Sequence, residues 1–164
     1  MFPENLKYTR THEWVKIEGN ILTIGITDYA VKELQGINHV YANETVSGVF
    51  YGPGLEVRPI EEEDFQNEEV KRGVKFLARK TVSEIDSSKN VVCVYSPVLG
   101  KVIEVNERAN EMVAKKPGET CLLIEKDPYG EGWVAKIEIL DSSSLIPLMS
   151  AQEFQKYLEE EEEH

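Results

Sequence analysis

VSEIDSSKNVVCVYSPVLGKV, residues 82–102, carries a polar tip inside a run that otherwise reads as half-buried β-structure. Val91, Cys93 and Tyr95 share one parity and Val92 and Val94 the other, as the period-2 pattern of a strand requires. Pro97 and Gly100 mark a turn beyond it. Between the apolar flanks sit Ser87, Ser88, Lys89 and Asn90, small turn-forming residues around a single lysine. On composition alone Lys89 is an exposed hairpin lysine. Three features favour a modified one. Its small neighbours leave the ammonium accessible to an enzyme, the flanking strands hold the tip away from the body, and Asp86 lies three residues earlier to orient the side chain or help recruit the enzyme. A carrier needs this geometry, because its cofactor must swing between partner active sites while the scaffold stays fixed.

Outward from this stretch the chain keeps a β character. EWVKI and NILTIGIT, within residues 13–27, are two short strands split by the hairpin signal Gly19-Asn20. A short helix follows in TDYAVKELQG, with Thr27 as N-cap, Gly36 just past its end, and Tyr29, Ala30 and Leu34 on one face. NHVYANETVSGVFYGPGLEV is rich in β-branched residues but broken by Gly48, Gly52, Pro53 and Gly54. PIEEEDFQNEEVKRG predicts a surface helix from about Pro59 to Gly73, too sparse in apolar positions to supply much core. TCLLIE and GWVAKIEIL read as two further strands; in the second, Trp133, Ala135, Ile137 and Ile139 alternate with Val134, Lys136 and Glu138. The chain ends in a helix over about 150–162, opened by the capping box Ser150-x-x-Glu153, with Phe154, Tyr157 and Leu158 on its apolar side. Many short strands punctuated by Gly and Pro predict a mainly β fold, a small barrel or sandwich decorated by short helices.

The chain has 164 residues, 41% of them apolar, which suits a single domain over 1–164 with a real core. A formal charge of −12 argues against nucleic acid as a partner, whose phosphates call for clustered Lys and Arg. It suits a soluble protein that meets basic partner surfaces. No apolar run reaches the roughly 18 residues of a membrane span, and the first residues lack the basic and apolar regions of a signal peptide. Two cysteines, Cys93 and Cys121, are too few for a disulfide scaffold. A cytoplasmic protein without nucleic-acid or membrane contacts is expected, in which the sequon Asn43-Glu44-Thr45 carries no meaning.

Conventional catalytic arrangements are scarce. His12, His39 and His164 are scattered, away from metal-ligand spacing, and read as surface or locally hydrogen-bonded side chains. G-x-S-x-G, the phosphate-binding loop and G-x-G-x-x-G are absent. The acidic runs EEED at 61–64 and EEEEEH at 159–164 read as solvated charge. No nucleophile–base pair stands out, so the chain reads as a non-enzyme.

Three blocks then fit one pattern. YTRTHEWVKIEGNILTIGITDYAVKELQG (8–36), KNVVCVYSPVLGKVIEVNE (89–107) and DPYGEGWVAKIEI (127–139) cover more than a third of the chain, in order. They resemble the H protein family of the glycine cleavage system, whose pattern runs HEW, GITDYA, ES-x-K, YSPVSG-V-EVN and DPYGEGW. The resemblance implies a lipoyl-type barrel-sandwich hybrid with a C-terminal helix. It implies lipoate covalently attached to Lys89, with Asp86 and Ser88 read by a lipoate ligase or lipoyltransferase. It implies Glu13, the glutamate of HEW, as a neighbour of the lipoyl arm. The family's partners are glycine decarboxylase, aminomethyltransferase and dihydrolipoyl dehydrogenase.

Departures from the pattern bear on the pathway. Asp86 replaces the family's Glu, a conservative change. Cys93 stands where the family usually has an Asp that helps hold the aminomethylated arm. As a strand cysteine it reads as a packed, inert thiol; a regular strand would instead put it on the lipoyl face, about 13 Å along from Lys89, where it can exchange disulfides with a dithiolane. Two regions, about 48–72 and 108–126, read as insertions. Three functions stay open. They are a glycine cleavage carrier, an H-like protein carrying sulfur intermediates for a sulfur-oxidising heterodisulfide-reductase-like complex, and an unmodified H-like partner-binding or lipoyl-relay module.

Overall fold

Gly19 and Asn20 close a two-residue hairpin between β2 (Glu13–Glu18) and β3 (Ile21–Ile26), with Glu18 opposite Ile21 and Glu13 opposite Ile26. Gly19 has φ +62°, the left-handed value that the first position of such a turn requires and glycine supplies without strain. The computed structural model describes residues 2–35, 47–50, 54, 56–59, 81–86, 91–106, 108, 112–114, 120–122 and 127–162. Apart from Pro59, which is not helical, the surface helix expected over 59–73 lies outside them.

The hairpin belongs to a six-stranded antiparallel sheet in the order β1-β2-β3-β11-β8-β5, whose middle strands are β3 and β11. Its other members are β1 (Lys7–Tyr8), β5 (Glu56–Val57), β8 (Leu99–Val105) and β11 (Ala135–Asp141). One cross-strand row, Leu22 on β3, Ile137 on β11 and Val102 on β8, is fully buried. Burying each such side chain contributes roughly 1.5–3 kcal/mol. Around it pack Val15, Ile24, Ile26, Val134 and Ala135, and from the second sheet's side Val94 and Val98. That second sheet has the order β4-β6-β7, from β4 (Ser47–Phe50), β6 (Thr81–Asp86) and β7 (Val91–Tyr95). β9 (Met112–Ala114) and β10 (Thr120–Leu122) form a separate pair inside the 108–126 region. The fold is mainly β, as expected. Among the described residues no ladder joins the three sheets, so they do not close into a barrel.

Two helices seat on this frame. α1 (Asp28–Gln35) starts where Thr27 Oγ1 accepts the Ala30 N–H at 3.1 Å, the predicted N-cap, and sends Ala30 and Val31 into the core. α2 (Ala151–Glu162) opens with the predicted capping box: the Glu153 N–H donates to Ser150 Oγ at 3.2 Å and the Ser150 N–H to Glu153 Oε1 at 2.9 Å. Its apolar side joins a second cluster with Leu6, Tyr8 and Trp14, in which the Tyr8 and Phe154 rings stack 5.0 Å apart.

Two sequence expectations need correction. Gly100 does not mark the turn with Pro97; the bend is Pro97–Val98, and Gly100 lies inside β8. Its role there is close approach. A Cβ at Gly100 would sit 2.5 Å from the Glu138 carbonyl oxygen of β11, so a glycine is needed for the ladder to close. The alternation in GWVAKIEIL also starts later than read, because β11 begins at Ala135. Trp133 and Val134 precede it and feed different clusters, Trp133 the aromatic one and Val134 the main core.

Candidate functional site

β6 and β7 form an antiparallel ladder with Asp86 opposite Val91, Ile85 opposite Val92 and Glu84 opposite Cys93. Asp86 is the last residue of β6 and Cys93 the third of β7; their side chains, and the whole of positions 87–90 with Ser88 and Lys89, lie outside the described residues. Those four positions connect the two ends of the ladder in sequence.

β7 is tied to the first sheet through Glu13. The strand that begins there is preceded by a turn in which the Thr9 N–H donates to the Glu13 carbonyl at 3.0 Å and the His12 N–H to the Thr9 carbonyl at 3.2 Å. His12 takes φ +71°, uncommon for a residue with a side chain. The turn points Thr9, Thr11 and Glu13 to one side. Both hydroxyls donate to Glu13 Oε1, from Thr9 at 2.6 Å and from Thr11 at 2.5 Å. The Tyr95 N–H of β7 reaches Glu13 Oε2 at 3.5 Å, a long contact. Glu13 is 1% exposed. Burial pushes its carboxyl up to about 8, and the hydrogen bonds from Thr11, Thr9 and Tyr95 oppose this without cancelling it. At neutral pH the group is therefore an acid holding its proton.

Glu13 and the Cys93-bearing strand are thus brought together across two sheets, since Tyr95 follows Cys93 by two residues. Sequence reasoning singled out Glu13 but missed Thr9, Thr11 and the Tyr95 main chain. The spacing Thr9-x-Thr11-x-Glu13 carried the signal: two hydroxyls at matching parity ahead of a glutamate. His12 was read as a surface or locally bonded side chain. Its ring instead stacks on Tyr29 at 5.1 Å, with Nε2 3.8 Å from the Glu161 carboxylate, and burial lowers it to about 4. Among the described residues no group of three His, Cys, Asp or Glu is placed to hold a metal ion, and no helix is long and apolar enough to cross a membrane.

The family model for the glycine cleavage H-protein matches residues 6–54 and 66–161. The chain belongs to the glycine cleavage H-protein family. The break at 55–65 falls inside the 48–72 region, whereas 108–126 lies within the matched span. A glycine cleavage system H protein of Carboxydothermus hydrogenoformans is 37% identical over 161 residues, covering 98% of this chain and 97% of its own. Another, of Coprothermobacter proteolyticus, is 39% identical over 158 residues, covering 96% and 97%. A crystal structure of the H protein of Mycobacterium marinum superposes with a TM-score of 0.63 at 23% identity, covering 98% of both chains, a likeness of fold. H proteins are non-catalytic carriers with lipoate covalently attached to a lysine.

Do the described residues fit such a group? Asp86 and Val91, the residues flanking the four positions that include Lys89, pair with each other. A buried acid, Glu13, lies beside the strand leaving them.

Proposed function

We propose that this chain is the lipoyl carrier of a cytoplasmic glycine cleavage system, a single domain over 1–164 with Lys89 as the attachment lysine. The family match over nearly the whole chain carries the reading. The β6–β7 ladder supports it, because Asp86 and Val91, which flank positions 87–90 in sequence, pair with each other. Asp86 and Ser88 flank the lysine as the residues a lipoate ligase or lipoyltransferase reads. Lys89 would hold the lipoyl group, which would supply a redox-active dithiolane able to serve glycine decarboxylase, the aminomethyltransferase and dihydrolipoyl dehydrogenase in turn. The protein's own residues present the tether, exclude water around Glu13, and hold a proton on that carboxyl for the cargo's amine.

Cys93 favours a second reading. In place of the family's usual Asp it removes a charged partner for the loaded amine, a bond typically worth about 1.5–3 kcal/mol. A carrier of sulfur intermediates for a heterodisulfide-reductase-like complex has no amine to hold.

Intact mass after incubation with lipoate and a ligase, followed by peptide mapping, tests attachment. One lipoyl adduct on the Lys89 peptide, lost in Lys89→Arg, is the expected result. No adduct, with another H protein modified in parallel and dedicated ligases excluded, leaves an unmodified partner-binding module. Glycine-dependent loading by glycine decarboxylase then separates the pathways: loading at ordinary rates sinks the sulfur reading, and its absence on the lipoylated chain sinks the glycine one.

A further inference from the structure

The outer face of the six-stranded sheet, turned away from the main core, carries a groove of about 400 Å³. Strand parity builds its floor. Val15, Ile24 and Ala135 belong to the main core, so their neighbours Lys16, Thr23 and Lys136 point the other way. The three stand in one cross-strand row, with Lys16 opposite Thr23 and Thr23 opposite Lys136. Adjacent strands lie about 4.8 Å apart, so the two lysines start from backbone positions roughly 10 Å apart, within converging reach of one small anion.

The walls are aromatic and fixed. Trp14, almost wholly covered, donates its Nε1–H to the Pro128 carbonyl at 2.7 Å, and the Tyr129 hydroxyl donates to Asp28 Oδ1 at 2.6 Å. Trp133 stands beside Lys136, whose Nζ lies 5.2 Å from the ring centroid. Tyr129 and Trp133 are half-buried and keep ring surface for a ligand. Both lysines have carboxylate neighbours, Glu18 at 3.7 Å from Lys16 and Glu104 at 3.9 Å from Lys136, with all four side chains solvated. Pairs this long and exposed hold little and yield to a better-placed anion.

We propose that this groove binds a small carboxylate carrying a flat aromatic ring, the carboxylate between Lys16 and Lys136 and the ring against Trp133 and Tyr129. A chain of net charge −12 sets two cations in one row here, and an anion complements them. A bare anion would leave the aromatic walls uncovered, and a neutral ring would leave the lysines unmatched. The volume suits a ligand of this size. The site does not depend on the lipoyl reading: the ladder flanking Lys89 belongs to the second sheet, and Val94 of that ladder packs on the core from the opposite side.

Both tryptophans of the chain line the groove, so their indole N–H signals in a proton–nitrogen NMR spectrum report on it directly. The full chain is titrated with 2-naphthoate, with its neutral isostere 2-naphthamide, and with acetate. 2-Naphthoate should give saturable shifts centred on both indoles and on the amides of residues 16, 23 and 136, half-saturating at about 1 mM or below. 2-Naphthamide and acetate should bind about tenfold more weakly or worse. Lys16→Gln and Lys136→Gln should each weaken 2-naphthoate about fivefold or more, and Lys101→Gln, an equal change of charge on β8 outside the groove, should leave it unchanged. Absence of saturable shifts at the groove overturns the site. Equal binding of 2-naphthamide or of acetate overturns the ligand class, and a loss in Lys101→Gln matching the other two overturns the role of the lysine row.

Discussion

At Glu13 the cost of burying a carboxylate exceeds what two hydroxyls and one long N–H contact return, so the acid keeps its proton up to about pH 8. Stability follows from this. Between the ordinary glutamate value of 4.5 and about 8, the folded state holds a proton that the unfolded state releases, so Glu13 makes stability fall as pH rises through that window. His12 acts with the opposite sign. Burial lowers it from 6.5 to about 4, the unfolded state binds the extra proton between those values, and stability rises with pH across them. Glu13→Gln keeps a carbonyl oxygen for both threonines and removes the Glu13 titration. Chemical denaturation across pH 4–9 should show the variant gaining on wild type by ~1 kcal/mol per pH unit between about 4.5 and 8, a few kcal/mol in all. A constant difference across that range would place the ionised form in the folded protein.

At the level of elements, Gly100 and Ser150 illustrate two different kinds of constraint. Gly100 lies where β8 and β11 approach closely, and an alanine methyl there meets the Glu138 carbonyl oxygen at 2.5 Å, a backbone atom that moves only if the ladder opens. Gly100→Ala should cost about 1–3 kcal/mol, the range of overpacking at a filled site. Ser150 satisfies a single N–H at an exposed helix start. Ser150→Ala should cost ~1 kcal/mol and shorten α2 by a fraction of a turn. Urea melts followed by far-UV circular dichroism distinguish them, since the glycine change lowers the main transition and the cap change falls on the helical signal. The capping box and Thr27 were legible because a cap is a local bargain between a side chain and N–H groups two or three residues away. Gly100 was not, because its partner is 38 residues on.

Over the whole molecule the charge of −12 predicts a salt-dependent encounter with partner enzymes that present basic surfaces. Long-range attraction to basic surfaces is screened within a Debye length, about 10 Å at 0.1 M salt. The association rate with glycine decarboxylase should therefore fall by about tenfold between 20 and 500 mM salt while dissociation changes far less. Stopped-flow measurement across that range checks it, and a flat rate would assign recognition to short-range contacts. The same scale joins the HEW and DPYGEGW stretches of this chain. Trp14 lies so close over Gly25 of β3 that a Cβ there would sit 2.4 Å from the indole, and its Nε1–H donates to the Pro128 carbonyl at 2.7 Å, so the two blocks are one packed unit.

By itself the sequence determined the strand-rich fold, the first hairpin, the helix caps and the motif blocks of the family, because these depend on residues within a few positions of each other. It also marked Glu13 and Lys89 as residues of interest. Only the tertiary structure decided that Glu13 is buried between two sheets, that Thr9 and Thr11 fill one of its oxygens, and that Tyr95 of another strand faces the other. The physical reason is that a buried charge state is set by desolvation and by donors that arrive from distant parts of the chain, neither of which has a local signature.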